Sequence, residues 1–265
     1  MKIGIVGCAG RMGRMLIQEI MATSGAELSG GTEPGGAAIG QDLGLLAGTI
    51  PAAVVVTTDT KALFAASDAV IDFTTPVVTK MNAELAAASG KALIIGTTGL
   101  GDDARNAIAA AAKRAVIIQS PNMSVGVNVL LALTEKLAAT LGPEYDIDIL
   151  EMHHRHKVDA PSGTAIGLGE AAAKGRNAKL KNVARMVRDG QVGARPTGEI
   201  GFATLRGGDV VGDHTVIFAA NGERIEVTHK ASSREVFARG AVRAAMWSEG
   251  RAAGLYSMRD VLGLG

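Results

Sequence analysis

Residues 2–13 read KIGIVGCAGRMG, and the order of residue types in this stretch decides the architecture of the first half of the chain. KIGIV is a short apolar, β-branched run that ends at Gly7. Gly7, Gly10 and Gly13 follow, and residues 11–22 then place Met15, Leu16, Ile20 and Met21 at helical spacing. A strand, a glycine-rich turn and a helix in succession make a dinucleotide cradle. The chain must turn without Cβ atoms in the way, let a pyrophosphate approach backbone N–H groups, and present a helix N-terminus to the anion. The spacing is GxxGxxG rather than GxGxxG, with the same physical requirement. Gly7, Cys8, Ala9, Gly10, Arg11 and Met12 are therefore candidate cofactor contacts, Cys8 as a small residue in a crowded turn. A glycine-rich turn without a ligand is the plainer alternative.

Further along, AELSG (26–30), AVVV (53–56), AVID (69–72), ALII (92–95) and AVII (115–118) read as strands. Alanine-rich helical stretches at about 60–66, 77–89 and 102–114 alternate with them. That alternation predicts an α/β fold, a Rossmann-type doubly wound parallel sheet covered on both faces. Glu33 lies just after the second strand, 20 residues past Gly13, where an acid accepts hydrogen bonds from adenosine ribose hydroxyls; a solvated loop acid is the alternative. An acid there repels a 2′-phosphate and Pro34 supplies no cation, so NADH is the expected cofactor, with NADPH tolerated through Arg11 or Arg14. Ligands of open parallel sheets sit beyond the carboxyl ends of the strands. Gly96, Thr97 and Thr98, with Ser120, Pro121, Asn122 and Met123, are thus candidates for ribose and nicotinamide contacts through backbone groups. Asn122 equally suits a plain turn.

From about residue 125 the pattern changes. One long helix (127–140) precedes YDIDILEMHH (145–154), which alternates as a half-exposed strand does. Ser162 opens a helix to about Lys174, residues 177–197 read as loop, and 199–206, 209–220 and 223–231 read as strands. Short Gly/Asp and Asn-Gly turns between these three predict antiparallel pairing. Residues 233–249 return to helix. The expected organisation is a dinucleotide-binding domain from 1–124 and 234–265, and a substrate-binding and oligomerisation α+β domain from 125–233 with an open, largely antiparallel sheet.

Residues 151–165 read EMHHRHKVDAPSGTA and hold three of the chain's five histidines. A metal site fits poorly, because Arg155 and Lys157 would flank the cation and Cys8 is the single cysteine. A solvated basic strand end with structural histidines is one account. The other uses everything present: Lys157 and Arg155 neutralise an anionic substrate, while a histidine moves a proton. Strand alternation sends His153 and His154 to opposite sides, so the two need not share a role. Ser162 is a natural N-cap, and the N–H groups of Gly163 and Thr164 form an anion seat. Two places for carboxylates point to a small dicarboxylate substrate.

Twenty-seven Lys and Arg against 26 Asp and Glu give a net charge of +1, which offers no global field for nucleic acid or an anionic membrane. The single cysteine suits a reducing compartment, and no apolar run approaches the ~18 residues of a membrane span, so a cytoplasmic protein is expected. A nucleotide-binding redox sensor would explain the glycine loop but not Lys157 beside three histidines. A sugar-type dehydrogenase would not need so much cation.

GCAGRMGR, VIDFT, GTTG, NMSVGVNV, EMHHRHKVDAPSGTA, GFATLRGGDVVGDHTV and THKASSREVFARGAVRAA together resemble the dihydrodipicolinate reductase family, from Lys2 to about Asp260. The resemblance implies NAD(P)H-dependent reduction of a cyclic diacid in diaminopimelate and lysine biosynthesis, with loss of water. It implies His153 as catalytic acid/base, Lys157 as proton donor and substrate ligand, His154 as a substrate contact, and Gly163 and Thr164 as the carboxylate-binding pair. It also implies a homotetramer built through the second domain's sheet. Pro34 stands where an arginine often follows the acid, and Met123 where some members carry phenylalanine.

Overall fold

The computed structural model describes residues 1–264. The chain divides into two compact units, Met1–Val125 with Glu235–Gly265, and Gly126–Arg234. In the first, β1 (Lys2–Val6), α1 (Arg11–Ala22), β2 (Glu27–Thr32), α2 (Leu43–Leu46), β3 (Val56–Thr57), α3 (Thr60–Ala66), β4 (Ala69–Asp72), α4 (Pro76–Ser89), β5 (Ala92–Ile95), α5 (Asp102–Ala111) and β6 (Val116–Gln119) follow one another. The second unit holds α6 (Val125–Thr140, entered from the first), β7 (Asp146–His153), α7 (Gly163–Gly175), α8 (Leu180–Val183), β8 (Ala184–Arg185), β9 (Ile200–Arg206), β10 (Gly212–Ala220) and β11 (Glu223–Ala231). The chain then returns to the first unit with α9 (Glu235–Trp247), β12 (Gly254–Tyr256) and α10 (Met258–Leu262).

The first unit's sheet has seven parallel strands in the order β12-β6-β5-β4-β1-β2-β3. Alternate side chains of the central strands go to opposite cores, as a doubly covered sheet demands. Ile3, Ile5, Ile71 and Ile94 pack with α1 and α9, whereas Val70, Leu93, Ile95 and Ile117 pack with α3, α4 and α5. Each such buried aliphatic side chain contributes about 1.5–3 kcal/mol. Strand order reverses between β1 and β4, where Val6 pairs with Asp72. This is the switch point at which such sheets open a crevice.

The third strand is shorter than the run AVVV suggests. Ala53 adopts φ +56 and Val55 makes an isolated antiparallel bridge to Asp42, so only Val56 and Thr57 join the sheet. The seventh strand, β12, was not legible in the sequence; its three residues gain their extended form by pairing with β6.

The second unit's five strands run β11-β10-β7-β9-β8. Antiparallel pairing holds for the β10–β11 hairpin, whose turn carries Gly222 at φ +88, and for β7 with β10. It does not hold between β9 and β10. β7 lies between them and runs parallel to β9, which runs parallel to β8, so the sheet is mixed. The physical reason is in the link after β9. Gly207 donates to His153 O, while Gly208 and Val210 carbonyls receive the N–H groups of Arg155 and His154, so this link crosses the end of β7 rather than folding back as a hairpin. The stretch 177–197 also holds more structure than expected. It contains α8 and β8, and Arg188 and Arg195 pair with Asp148 while Arg188 also reaches Glu199.

Candidate active site

The glycine turn after β1 is built by close contacts. Gly7 sits at φ +76, and a Cβ on Gly13 would lie 2.3 Å from the carbonyl oxygen of Gly7, so α1 can start only against a bare backbone. Gly10 is the N-cap of α1 and no side chain caps the helix's first N–H groups. The Cys8 side chain is buried, and burial with Glu33 nearby pushes its thiol up to about 12, which leaves it an inert space-filler. Glu33 Oε1 accepts the Ala9 N–H at 2.7 Å, tying the expected ribose acid to the loop itself. Beside them lies a cavity of about 440 Å³ whose walls include Gly7, Glu33, Pro34, Thr74, Met81 and Asn82. A Cβ-free cradle, open helix N–H groups and an adjoining apolar slot fit a dinucleotide.

The other strand-end candidates divide. A Cβ on Gly96 would strike the Phe73 ring at 2.3 Å, Thr97 is buried in hydrogen bonds, and Thr98 and Pro121 are exposed. Ser120 Oγ donates to Asn122 O, and Asn122 Oδ1 accepts the Ser124 N–H at 2.9 Å, so the Asn122 amide serves the turn. Met123 is 1% exposed and packs in the core, with its carbonyl against Gly240 of α9, so its side chain faces no ligand.

In the second unit, β7 alternates strictly. Ile147, Ile149, Glu151 and His153 all take the buried face. An acid and an imidazole thus occupy core-phase positions at the strand's carboxyl end. Register then delivers their partners: His214 of β10 stands opposite Glu151, and Arg206 of β9 opposite His153. Glu151 Oε2 meets His153 Nδ1 at 2.5 Å; the Arg206 guanidinium forks onto both Glu151 oxygens at 2.8 and 2.9 Å; Ser162 N–H reaches Oε1 at 3.0 Å. Burial raises the Glu151 carboxyl, but Arg206, His153 and the Ser162 N–H outweigh it and hold the group below its usual range. An ionised Glu151 can only accept, so Nδ1 of His153 carries hydrogen and Nε2 is the atom free to exchange a proton. Burial lowers the His153 value against the pull of Glu151, which favours a neutral ring at rest. A Cβ at Gly212 would sit 2.9 Å from that Nε2, so only glycine leaves it uncovered.

Ser162 caps α7 through Ala165 N–H at 3.1 Å, as its type predicts, and its hydroxyl also meets His214 Nε2 at 3.1 Å. His214 packs edge-on to His153 with ring centroids 5.0 Å apart, and burial with that neighbour lowers it to about 4. Lys157 Nζ donates to Asp159 Oδ1 at 2.7 Å, and the Gly163 N–H acts on the same carboxylate. An ammonium therefore meets a carboxylate close to the start of α7, and open space surrounds the position of a Cβ on Gly163. His154 lies past the strand end with Nδ1 buried and unpaired. Arg155 and His156 point outward as exposed side chains. Glu151, Arg206 and His214 were absent from the expected set.

Among the described residues no group of three or more His, Cys, Asp or Glu is placed to hold a metal ion, and no helix is long and apolar enough to cross a membrane.

Sequence models described as dihydrodipicolinate reductase, N-terminus and C-terminus, match residues 1–123 and 126–262. The chain belongs to the dihydrodipicolinate reductase family. It is 56% identical to the 4-hydroxy-tetrahydrodipicolinate reductase of Methylocella silvestris, across 100% of this chain and 98% of that one. Identity to the reductase of the same name from Beijerinckia indica is 55%, over 100% and 98%. Among solved structures, the dipicolinate-bound dihydrodipicolinate reductase from Paenisporosarcina sp. TG-14 shares the fold, with a TM-score of 0.76 at 24% identity over 97% of each chain. As a member of this reductase family the chain is an oxidoreductase, and its first unit is a nucleotide-binding domain for a pyridine nucleotide.

Proposed function

We propose that the chain reduces (2S,4S)-4-hydroxy-2,3,4,5-tetrahydrodipicolinate to tetrahydrodipicolinate in diaminopimelate and lysine biosynthesis. One substrate, one NAD(P)H and one proton give product, NAD(P)⁺ and water. The observation that carries this is a Lys157 ammonium already paired with a carboxylate near the start of α7, in the same unit as an imidazole oriented by Glu151. Asp159 stands where a substrate carboxylate would sit, which supports the seat's preference for that group.

Within this proposal, Lys157 with the Gly163 and Thr164 N–H groups binds one carboxylate and His154 contacts the bound diacid. Ser162, expected as a substrate contact, is buried and committed to Glu151, Ala165 and His214, and serves by capping α7. Residues Gly7–Met12, Glu33, Gly96–Thr98 and the main chain of Ser120–Met123 hold the nucleotide, which supplies hydride when bound. Binding a dianion beside His153 raises the imidazole's proton affinity, against the burial that keeps it neutral at rest. Lys157 passes to the substrate the one proton that the reduction consumes, and His153 Nε2 resupplies it. Glu151 holds the tautomer throughout.

Glu33 beside the loop, with Pro34 next to it, favours NADH over NADPH. The second unit serves substrate binding and assembly: the sheet face opposite its core carries Leu150, Met152, Ala203, Leu205 and Ile217, a surface suited to a homotetramer. A cytoplasmic location follows from the same biosynthetic role. The test is loss of reduced-nicotinamide absorbance with freshly prepared cyclic diacid. The expected result is turnover with the diacid and none with neutral sugars; oxidation that ignores the diacid would overturn the proposal.

A further inference from the structure

Asp72 is fully buried at the carboxyl end of β4, beside the switch point, and among the described residues no cation pairs with it. Isolated, such a carboxylate would be costly to bury. It is kept by four donors. Oδ1 accepts the Thr74 N–H at 2.9 Å, the Thr74 hydroxyl at 2.6 Å and the Thr97 hydroxyl at 3.2 Å. Oδ2 accepts Asn82 Nδ2 at 3.0 Å. The Thr97 hydroxyl in turn accepts the Thr74 N–H at 3.1 Å. One carboxylate therefore ties the loop after β4 to the loop after β5 and to the second turn of α4.

Those three elements border the nucleotide side of the unit. Thr74 and Asn82 line the cavity beside the glycine turn. The Thr74 methyl group lies 2.9 Å from where a Cβ on Gly7 would stand, so the rotamer fixed by Asp72 shapes the space next to that turn. Thr97 belongs to the GTTG segment at the end of β5. Apolar packing alone would hold α4 against β5; it would not fix two threonine hydroxyls inward.

We infer that Asp72 is a positioning residue for the pyridine nucleotide, acting through Thr74 and Thr97 on the loops that receive it. The inference rests on assigning the glycine-turn cavity to the nucleotide. Asp72→Asn keeps an oxygen for the Thr74 and Thr97 donors, and the Asn82 amide can turn to accept the new N–H. Asp72→Ala leaves all the donors without an acceptor, and Thr74→Val removes one arm at constant shape.

Calorimetry with NADH and, separately, with pyridine-2,6-dicarboxylate tests this on the full chain. The Kd for NADH should rise at least tenfold in Asp72→Ala and severalfold in Thr74→Val, and stay within threefold in Asp72→Asn. The diacid Kd should be unchanged in all three, and KM for NADH should rise with little change in kcat. If Asp72→Ala does not fold, Thr74→Val carries the comparison. Folded variants with the wild-type NADH Kd would overturn the inference, as would equal weakening of both ligands. Failure of the wild type to bind NADH would instead remove the underlying nucleotide assignment.

Discussion

Replacing Glu151 by glutamine tests how the buried imidazole is set for proton exchange. Four bonds end on this carboxylate, at 2.5 Å from His153, 2.8 and 2.9 Å from Arg206 and 3.0 Å from Ser162 N–H. An amide can keep the two bonds on its oxygen side and must oppose donors on the other. If its oxygen stays with Ser162, the NH₂ faces His153 Nδ1 and one arm of Arg206. Two charge-assisted bonds are then lost, at about 1.5–3 kcal/mol each, in line with the ~3–5 kcal/mol cost of breaking a buried ion pair. At roughly 2–4 °C per kcal/mol for a chain of this size, melting should fall by roughly 10 °C. His153 must also present Nδ1 as the acceptor, which moves hydrogen to Nε2, the atom proposed to exchange the proton in catalysis. We expect kcat to fall by about 10² to 10⁴ with a smaller change in KM for the diacid. The assay is steady-state nucleotide oxidation beside thermal melting. A variant with wild-type melting and kcat within about threefold of normal would refute the orienting role.

Acid should weaken the fold through His214. Its folded value near 4 lies below the ordinary 6.5, so between those pH values the unfolded chain binds a proton that the folded protein refuses. Stability from this group is complete above pH 6.5, declines as pH falls and is fully lost below about 4, a difference of about 3 kcal/mol. Glu151 and Asp159, both held below their usual ranges, add loss in the same direction as they protonate further down. Urea melts from pH 7 to pH 4 check this; a midpoint that does not fall contradicts it. Gly212→Ala places a methyl group 2.9 Å from His153 Nε2, and kcat should drop at least tenfold while NADH affinity holds. Gly13→Ala puts a Cβ 2.3 Å from the Gly7 carbonyl, so NADH binding by calorimetry should be lost or the first unit destabilised by more than about 1 kcal/mol. KM for NADH should lie below that for NADPH, and the reverse order would contradict the role assigned to Glu33 and Pro34.

The parts of the fold legible in the sequence are those specified by local chemistry. The strand–glycine–helix order at residues 2–22 and the apolar strands at 69–72, 92–95 and 115–118 carry their own periodicity, and Ser162 caps its helix as its residue type demands. What was hidden is non-local. That β7 separates β9 from β10 cannot be read from turns, because Gly207 and Gly208 make a crossing link that resembles a hairpin in composition. Arg206 lies 55 residues from Glu151, and His214 lies 52 from Ser162; sheet register brings β9 and β10 alongside β7, and the start of α7 docks there through the Ser162 N–H on Glu151. A signal did exist: Glu151 continues the phase of Ile147 and Ile149, and His214 that of Val216 and Phe218. Polar residues in the buried phase of a strand need partners, and these partners orient His153 and cap α7.

The decisive measurement is calorimetric titration of pyridine-2,6-dicarboxylate into the full chain and into Lys157→Met. Loss of one charged contact worth about 2 kcal/mol should weaken binding about 30-fold, with circular dichroism unchanged. Equal affinity in a folded Lys157→Met protein would mean that the ammonium beside α7 does not grip the diacid, and would contradict the proposed binding mode.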